Sequence, residues 1–77
     1  MQAKLLGYML VDFINTKGEQ IKGNNIFVAF KDNNVQGLRT EKFFLNSDTP
    51  LPEDIKVNDV LELSFNFKGK LQVVSKA

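Results

Sequence analysis

Gly37-Leu38-Arg39-Thr40-Glu41-Lys42-Phe43-Phe44-Leu45 places two adjacent phenylalanines in a strand-like stretch, and which of them turns inward decides the fold. Alternation puts Arg39, Glu41, Phe43 and Leu45 on one side, and Leu38, Thr40, Lys42 and Phe44 on the other. Whichever side is core, the other keeps a phenylalanine beside a cation. A spare aromatic next to Lys or Arg on a small β protein suits the stacking of nucleic-acid bases. The alternative buries both rings, one in each of two packed layers.

Upstream, residues 4–14 are rich in β-formers and stop at the turn cluster Asn15-Thr16-Lys17-Gly18. Met9, Val11 and Phe13 share one face; Tyr8, Leu10, Asp12 and Ile14 share the other. A carboxylate resists burial, so the first set is the expected core face and Tyr8 is expected outside. Gly7, isolated in a strand, suggests a bulge or a close approach by another chain. Residues 19–31 form the second strand, with Gly23-Asn24-Asn25 interrupting it. Ile26, Val28 and Phe30 make an apolar face, leaving Phe27, Ala29 and Lys31 opposite. Here too an aromatic accompanies a cation on the non-core side.

Downstream, two prolines exclude a ladder from Asn46–Pro52, and Pro52–Lys56 could hold one helical turn. In residues 60–67 Leu61, Leu63, Phe65 and Phe67 alternate with polar neighbours, the pattern of a strand with one buried face. Phe67-Lys68-Gly69-Lys70 is a tight hairpin returning through residues 71–75. Five strands and no long helix in one 1–77 domain point to an all-β protein: a small five-stranded antiparallel barrel, closed because open edges invite aggregation. OB-like and SH3-like barrels are the two solutions. The long link between strands three and four favours the OB-like one.

The 77 residues include no Cys and no His, so disulfides, structural zinc, the usual catalytic triads and thiol nucleophiles are excluded. Ser47, Ser64 and Ser75 lack any motif that would make a Ser-Lys dyad, and the glycines are spaced as turn residues rather than as a phosphate loop. A binding protein without catalytic residues, metal, cofactor or small-molecule substrate is expected. At this length only about 60% of the unfolded chain's surface can be buried, so a homodimer is expected to supplement the core. No apolar run approaches a membrane span, and Met1-Gln2-Ala3-Lys4 is taken as a mature start in a cytoplasmic protein rather than a signal peptide.

Net charge is +1, but the charges are segregated. Residues 1–47 hold six bases and four acids, residues 48–62 one base and five acids, and residues 63–77 three bases and no acid. A basic face with an acidic flank is compatible with a phosphate-tracking groove. The candidate surface comprises Tyr8, Lys22, Phe27, Lys31, Arg39, Lys42 and Phe44, with Lys17 flanking the first hairpin. Asp12 and the clean fourth strand place the core elsewhere and turn Phe44 and Lys42 outward. Arg39 falls by alternation on the side of Phe43 and reaches the surface only near the strand's start or past a bulge.

Two segments carry a family resemblance. Gly7-Tyr8-Met9-Leu10-Val11-Asp12-Phe13 runs through a Lys-Gly hairpin into Ile26-Phe27-Val28-Ala29-Phe30, and Lys56-Val57-Asn58-Asp59-Val60 precedes the last hairpin. In this layout the chain resembles the small single-stranded-DNA-binding proteins of phages and plasmids, including the gene V type of filamentous phage. It departs from them in its near-neutral charge and single tyrosine. The resemblance implies an OB-fold dimer that coats single-stranded DNA, or RNA, during replication through aromatic stacking and basic side chains. The rival expectation is a small β-barrel module, SH3-like or a phage accessory protein, whose exposed aromatics bind another protein.

Overall fold

The computed structural model describes residues 1–77. It contains five strands: β1 (Gln2–Ile14), β2 (Gln20–Lys31), β3 (Leu38–Asn46), β4 (Val60–Phe65) and β5 (Leu71–Lys76). All pairings are antiparallel, in one sheet ordered β3-β2-β1-β4-β5. The all-β architecture matches the expectation.

The expected barrel is met only loosely, because the ladder does not close and the sheet stays open and curled. The edges β3 and β5 are not hydrogen-bonded to each other. Curling nevertheless brings Phe43 of β3 against Phe65 of β4, ring centroids 5.7 Å apart. Leu51 and Ile55, from the link between β3 and β4, also pack on the core. Side chains fill the seam where a ladder would close it.

The core is Ala3, Leu5, Ile26, Val28, Leu45, Leu61, Leu63 and Val74, with Phe30, Phe43, Phe65 and Leu71 packed against it. It occupies one end of the sheet, because β4 pairs with β1 only from Gln2 to Lys4. Asn58 and Asp59 extend that contact by one residue. Asn58 N donates to Leu5 O (2.8 Å), and Leu5 N donates to Asp59 O (2.9 Å). Beyond Leu5, β1 and β2 run on together without β4 or β5 beside them.

Met9, Val11 and Phe13 are therefore not core, contrary to the alternation argument. A bulge between Leu5 and Gly7 inserts one residue and reverses the inward-outward phase of β1. Ala3 and Leu5 face inward before it; Tyr8, Leu10, Asp12 and Ile14 share the inward face after it. The Gly7 signal for a bulge was sound, but the phase on its far side was not legible.

Three smaller differences follow from local bonding. β2 runs unbroken through Gly23-Asn24-Asn25, held on both sides by β1 and β3. Pro52–Ile55 is a single turn, Ile55 N donating to Pro52 O at 3.3 Å, not a helical turn. β4 ends at Phe65, and Phe67, expected on its buried face, is 95% exposed in the hairpin.

The hairpin's shape explains Phe67. Asn66 Oδ1 accepts from the N–H groups of Lys68 and Lys70, and Gly69 turns through φ 77°. Asn15 Oδ1 does the same with Lys17 and Glu19, around Gly18 at φ 79°. Asn15-Thr16-Lys17-Gly18 and Asn66-Phe67-Lys68-Gly69 are thus one turn used twice, with its second residue projected into solvent. Positive φ explains the glycine at each fourth position.

Candidate nucleic-acid interface

The register of β1, β2 and β3 assigns every side chain to one of two faces. Ile26, Val28 and Phe30 point to the core, so Gly23, Asn25, Phe27, Ala29 and Lys31 point outward. Their partners share that outer face: Gly7, Met9, Val11 and Lys4 from β1, and Leu38, Thr40, Lys42, Phe44 and Asn46 from β3. Lys42 lies directly across from Phe27, and Phe44 across from Asn25.

Two strand glycines shape this face. A β-carbon at Gly7 would lie 3.9 Å from Phe27 Cδ2, and one at Gly23 would lie 2.8 Å from Phe44 Cζ. Each ring thus lies beside a residue with no side chain to stand over it. Phe27 is half-buried, while Phe44 is 44% exposed. The result is two aromatic surfaces on the β2–β3 part of the face, whose hairpin end also carries Phe13, 52% exposed.

The charges on this face have one sign. Lys4, Lys31 and Lys42 are exposed, and no acid from β1, β2 or β3 shares the face. The nearest acids lie outside these strands: Asp48, in the loop after β3, shares a concavity with Phe44, and Glu62 on β4 pairs with Gln2. None of the three lysines takes part in an ion pair; the pairs join Met1 to Glu62, Arg39 to Asp32 and Glu41, and Lys76 to Asp54 and Asp59. Unpaired cations keep their full charge for an incoming anion.

Of the seven residues singled out from sequence, Phe27, Lys31, Lys42 and Phe44 come together on this face. Tyr8, Lys22 and Arg39 do not. Tyr8 pairs with Ile26 and Lys22 with Asp12, which puts both on the opposite face. The β1 bulge is the cause for Tyr8. Arg39 pairs with Phe30, stacks its guanidinium 5.9 Å from that ring's centroid, and is bound by Asp32 (2.9 Å) and Glu41 (2.6 Å). Those hydrogen bonds raise its pKa above the ordinary arginine value, Asp32 contributing most. An arginine so engaged is a structural clasp on the start of β3.

Lys22 keeps one link to the face. It lines an open concavity of about 450 Å³ with Phe44, Ile21 and Asp48, where β3 ends alongside β2. Lys17 stands at the tip of the first hairpin.

Sequence reasoning missed Lys4, Gly7 and Gly23 as parts of this face, and Phe67 as an exposed aromatic. Lys4 could have been placed by its pairing with Ala29, but the bulge obscures that register. Phe67 has Lys68 Nζ 5.8 Å from its ring centroid, another aromatic–cation pair. The repeated Asn-x-Lys-Gly pattern was the signal for its exposure. No three His, Cys, Asp or Glu side chains are grouped to hold a metal ion. No helix is long and apolar enough to cross a membrane.

Compared with known proteins, the chain matches no family model, no curated protein and no solved structure.

Proposed function

We propose that the outer face of β1–β3 binds single-stranded nucleic acid, DNA in the first instance, without base specificity. The observation that carries this reading is the coincidence of two aromatic rings, Phe27 and Phe44, with three unpaired lysines on a face to which β1, β2 and β3 contribute no acid. Bases stack on the rings for about 1–3 kcal/mol each, whatever their identity. Lys4, Lys31 and Lys42 neutralise phosphates and release counterions. A homodimer would present two such faces and raise the apparent affinity.

The resemblance of its sequence layout to the phage and plasmid single-stranded-DNA-binding proteins favours the same reading. Coating of replication intermediates in the cytoplasm is the setting it implies. Chemical-shift mapping with an oligo-dT strand tests the placement. Shifts are expected at Phe27, Lys31, Lys42 and Phe44; shifts confined to Tyr8, Leu10 and Ile14 on the opposite face would contradict it.

A further inference from the structure

β1 has a free edge beyond the core. From Gly7 to Ile14 it pairs with β2 on one side, but on the other its partners stop at Lys4 and the Asn58–Asp59 clasp on Leu5. Asn15 N donates to Glu19 O at 2.9 Å, which sets the phase of the hairpin. Phe13 with Ile21, Val11 with Gly23 and Met9 with Asn25 then exchange the bonds between β1 and β2. The N–H and C=O groups of Tyr8, Leu10, Asp12 and Ile14 point the other way, to the open edge.

The side chains along this edge are apolar on both faces. Leu10 is 73% exposed and Ile14 71%, and Tyr8, Met9 and Phe13 are each about half exposed. Natural edges are blunted by lysine, proline or a bulge. This one carries a single charge, Asp12, no proline, and its bulge lies at the root.

We propose that a second copy of this chain adds here, β1 against β1, antiparallel about a two-fold axis at Val11. This centre pairs Tyr8 with the second copy's Ile14 and Leu10 with its Asp12, so all four free residues on each copy gain backbone partners. A centre at Asp12 would oppose two carboxylates. A centre at Leu10 would carry Ile14 onto the bulge. With Val11 on the axis, Met9 meets the second copy's Phe13 on the outer face, a sulfur–aromatic pair, and Tyr8 meets Ile14 on the inner one. The five exposed side chains offer on the order of 500 Å² per copy, at roughly 200 Å² for each fully exposed aromatic. Edge pairing covers only the flanks of these side chains, so the area buried is smaller than the ~800 Å² per partner of a standard interface, and the backbone ladder supplies the rest of the attraction. Only 10 of the 77 residues are buried in the single chain, so added burial has a clear stabilising role. The inference stands independently of the nucleic-acid reading.

Sedimentation equilibrium at tens of micromolar protein is the first test, and a dimer is expected. Leu10→Lys with Ile14→Lys should give a monomer whose circular dichroism is unchanged, because neither side chain is in the core. The chain has no cysteine, so Val11→Cys introduces one thiol per copy. Across the axis the two Cα atoms would stand about 4.5 Å apart, within disulfide reach. Mild oxidation should cross-link Val11→Cys into a dimer and leave Phe13→Cys largely unlinked. A monomeric wild-type chain, a Leu10/Ile14 double variant that stays dimeric, or faster cross-linking through position 13 would each overturn the proposal.

Discussion

Phe44 lies across Gly23: a β-carbon on that glycine would stand 2.8 Å from Phe44 Cζ and 2.1 Å from Leu45 O. The ring covers the bare backbone of the neighbouring strand and keeps its other side toward solvent. One contact therefore serves the stability of β3 on β2 and the presentation of the ring. Gly23→Ala must push a backbone oxygen as well as the ring, and overpacking of that kind costs about 1–3 kcal/mol. A thermal melt should show Tm lowered by roughly 4 °C or more. An unchanged Tm would show that β3 moves aside freely.

Phe43 and Phe44 should separate cleanly on mutation. Phe43 packs on the core and against Phe65, so Phe43→Ala is expected to cost about 2–3 kcal/mol, somewhat less than full burial would imply. Phe44→Ala should cost no more than about 1 kcal/mol. It should weaken binding of an oligo-dT strand by roughly 5-fold or more, the lower end of a stacking contribution. Paired denaturation and binding measurements decide it; a large stability loss at Phe44 would make that residue structural.

Arg39 and Asp32 give a test of the β3 clasp. The Asp32 carboxyl is held below its ordinary value first by the Asn34 N–H (2.9 Å to Oδ1), then by Arg39. A depressed folded-state pKa means stability present above the unfolded value and lost as pH falls through the folded one. Asp32→Asn should therefore flatten the loss of Tm below about pH 4, the unfolded carboxylate range. Arg39→Ala should raise the NMR titration midpoint of Asp32 but leave it below the ordinary value, because the Asn34 bond remains. Asp54, lowered chiefly by its hydrogen bond from Lys76, should respond to Lys76→Ala in the same direction.

Sequence alternation separated Phe44 and Lys42 from Phe43 and Leu45 correctly, because β3 has no bulge, but it did not say which pair was core. The fourth strand pointed the right way, while the core face read from Asp12 on β1 did not hold. Alternation placed Arg39 correctly on the side of Phe43 as well. It failed on β1, where one inserted residue between Leu5 and Gly7 exchanges the faces of everything that follows. That one step carries Tyr8, exposed as expected, to the opposite face from Phe27 and Phe44, and takes Met9, Val11 and Phe13 out of the core. Phe67 followed the period of β4 in sequence, but the asparagine at position 66 diverts the backbone into a turn before it. Closure of the barrel depended on whether β3 and β5 approach within hydrogen-bonding distance. That is a property of sheet curvature, which brings Phe43 of β3 against Phe65 of β4 but leaves β3 and β5 unpaired, and no local pattern reports it.

The lysines should act additively and without regard to base sequence. Lys31→Gln or Lys42→Gln should weaken binding to poly-pyrimidine and mixed single strands alike. Each should also reduce the slope of log affinity against log salt by about 0.7, the single-strand value per phosphate neutralised. Arg39→Gln, already paired to Asp32 and Glu41, should leave that slope nearly unchanged.

Single-strand binding by the outer face of β1–β3, as proposed above, is open to direct measurement. A fluorescence-anisotropy titration of labelled oligo-dT at low and moderate salt tests it most directly. Three lysines on one face predict binding at low salt, with a log–log slope of about −2 per chain. No detectable binding at low salt and micromolar protein, or binding indifferent to salt, would contradict it.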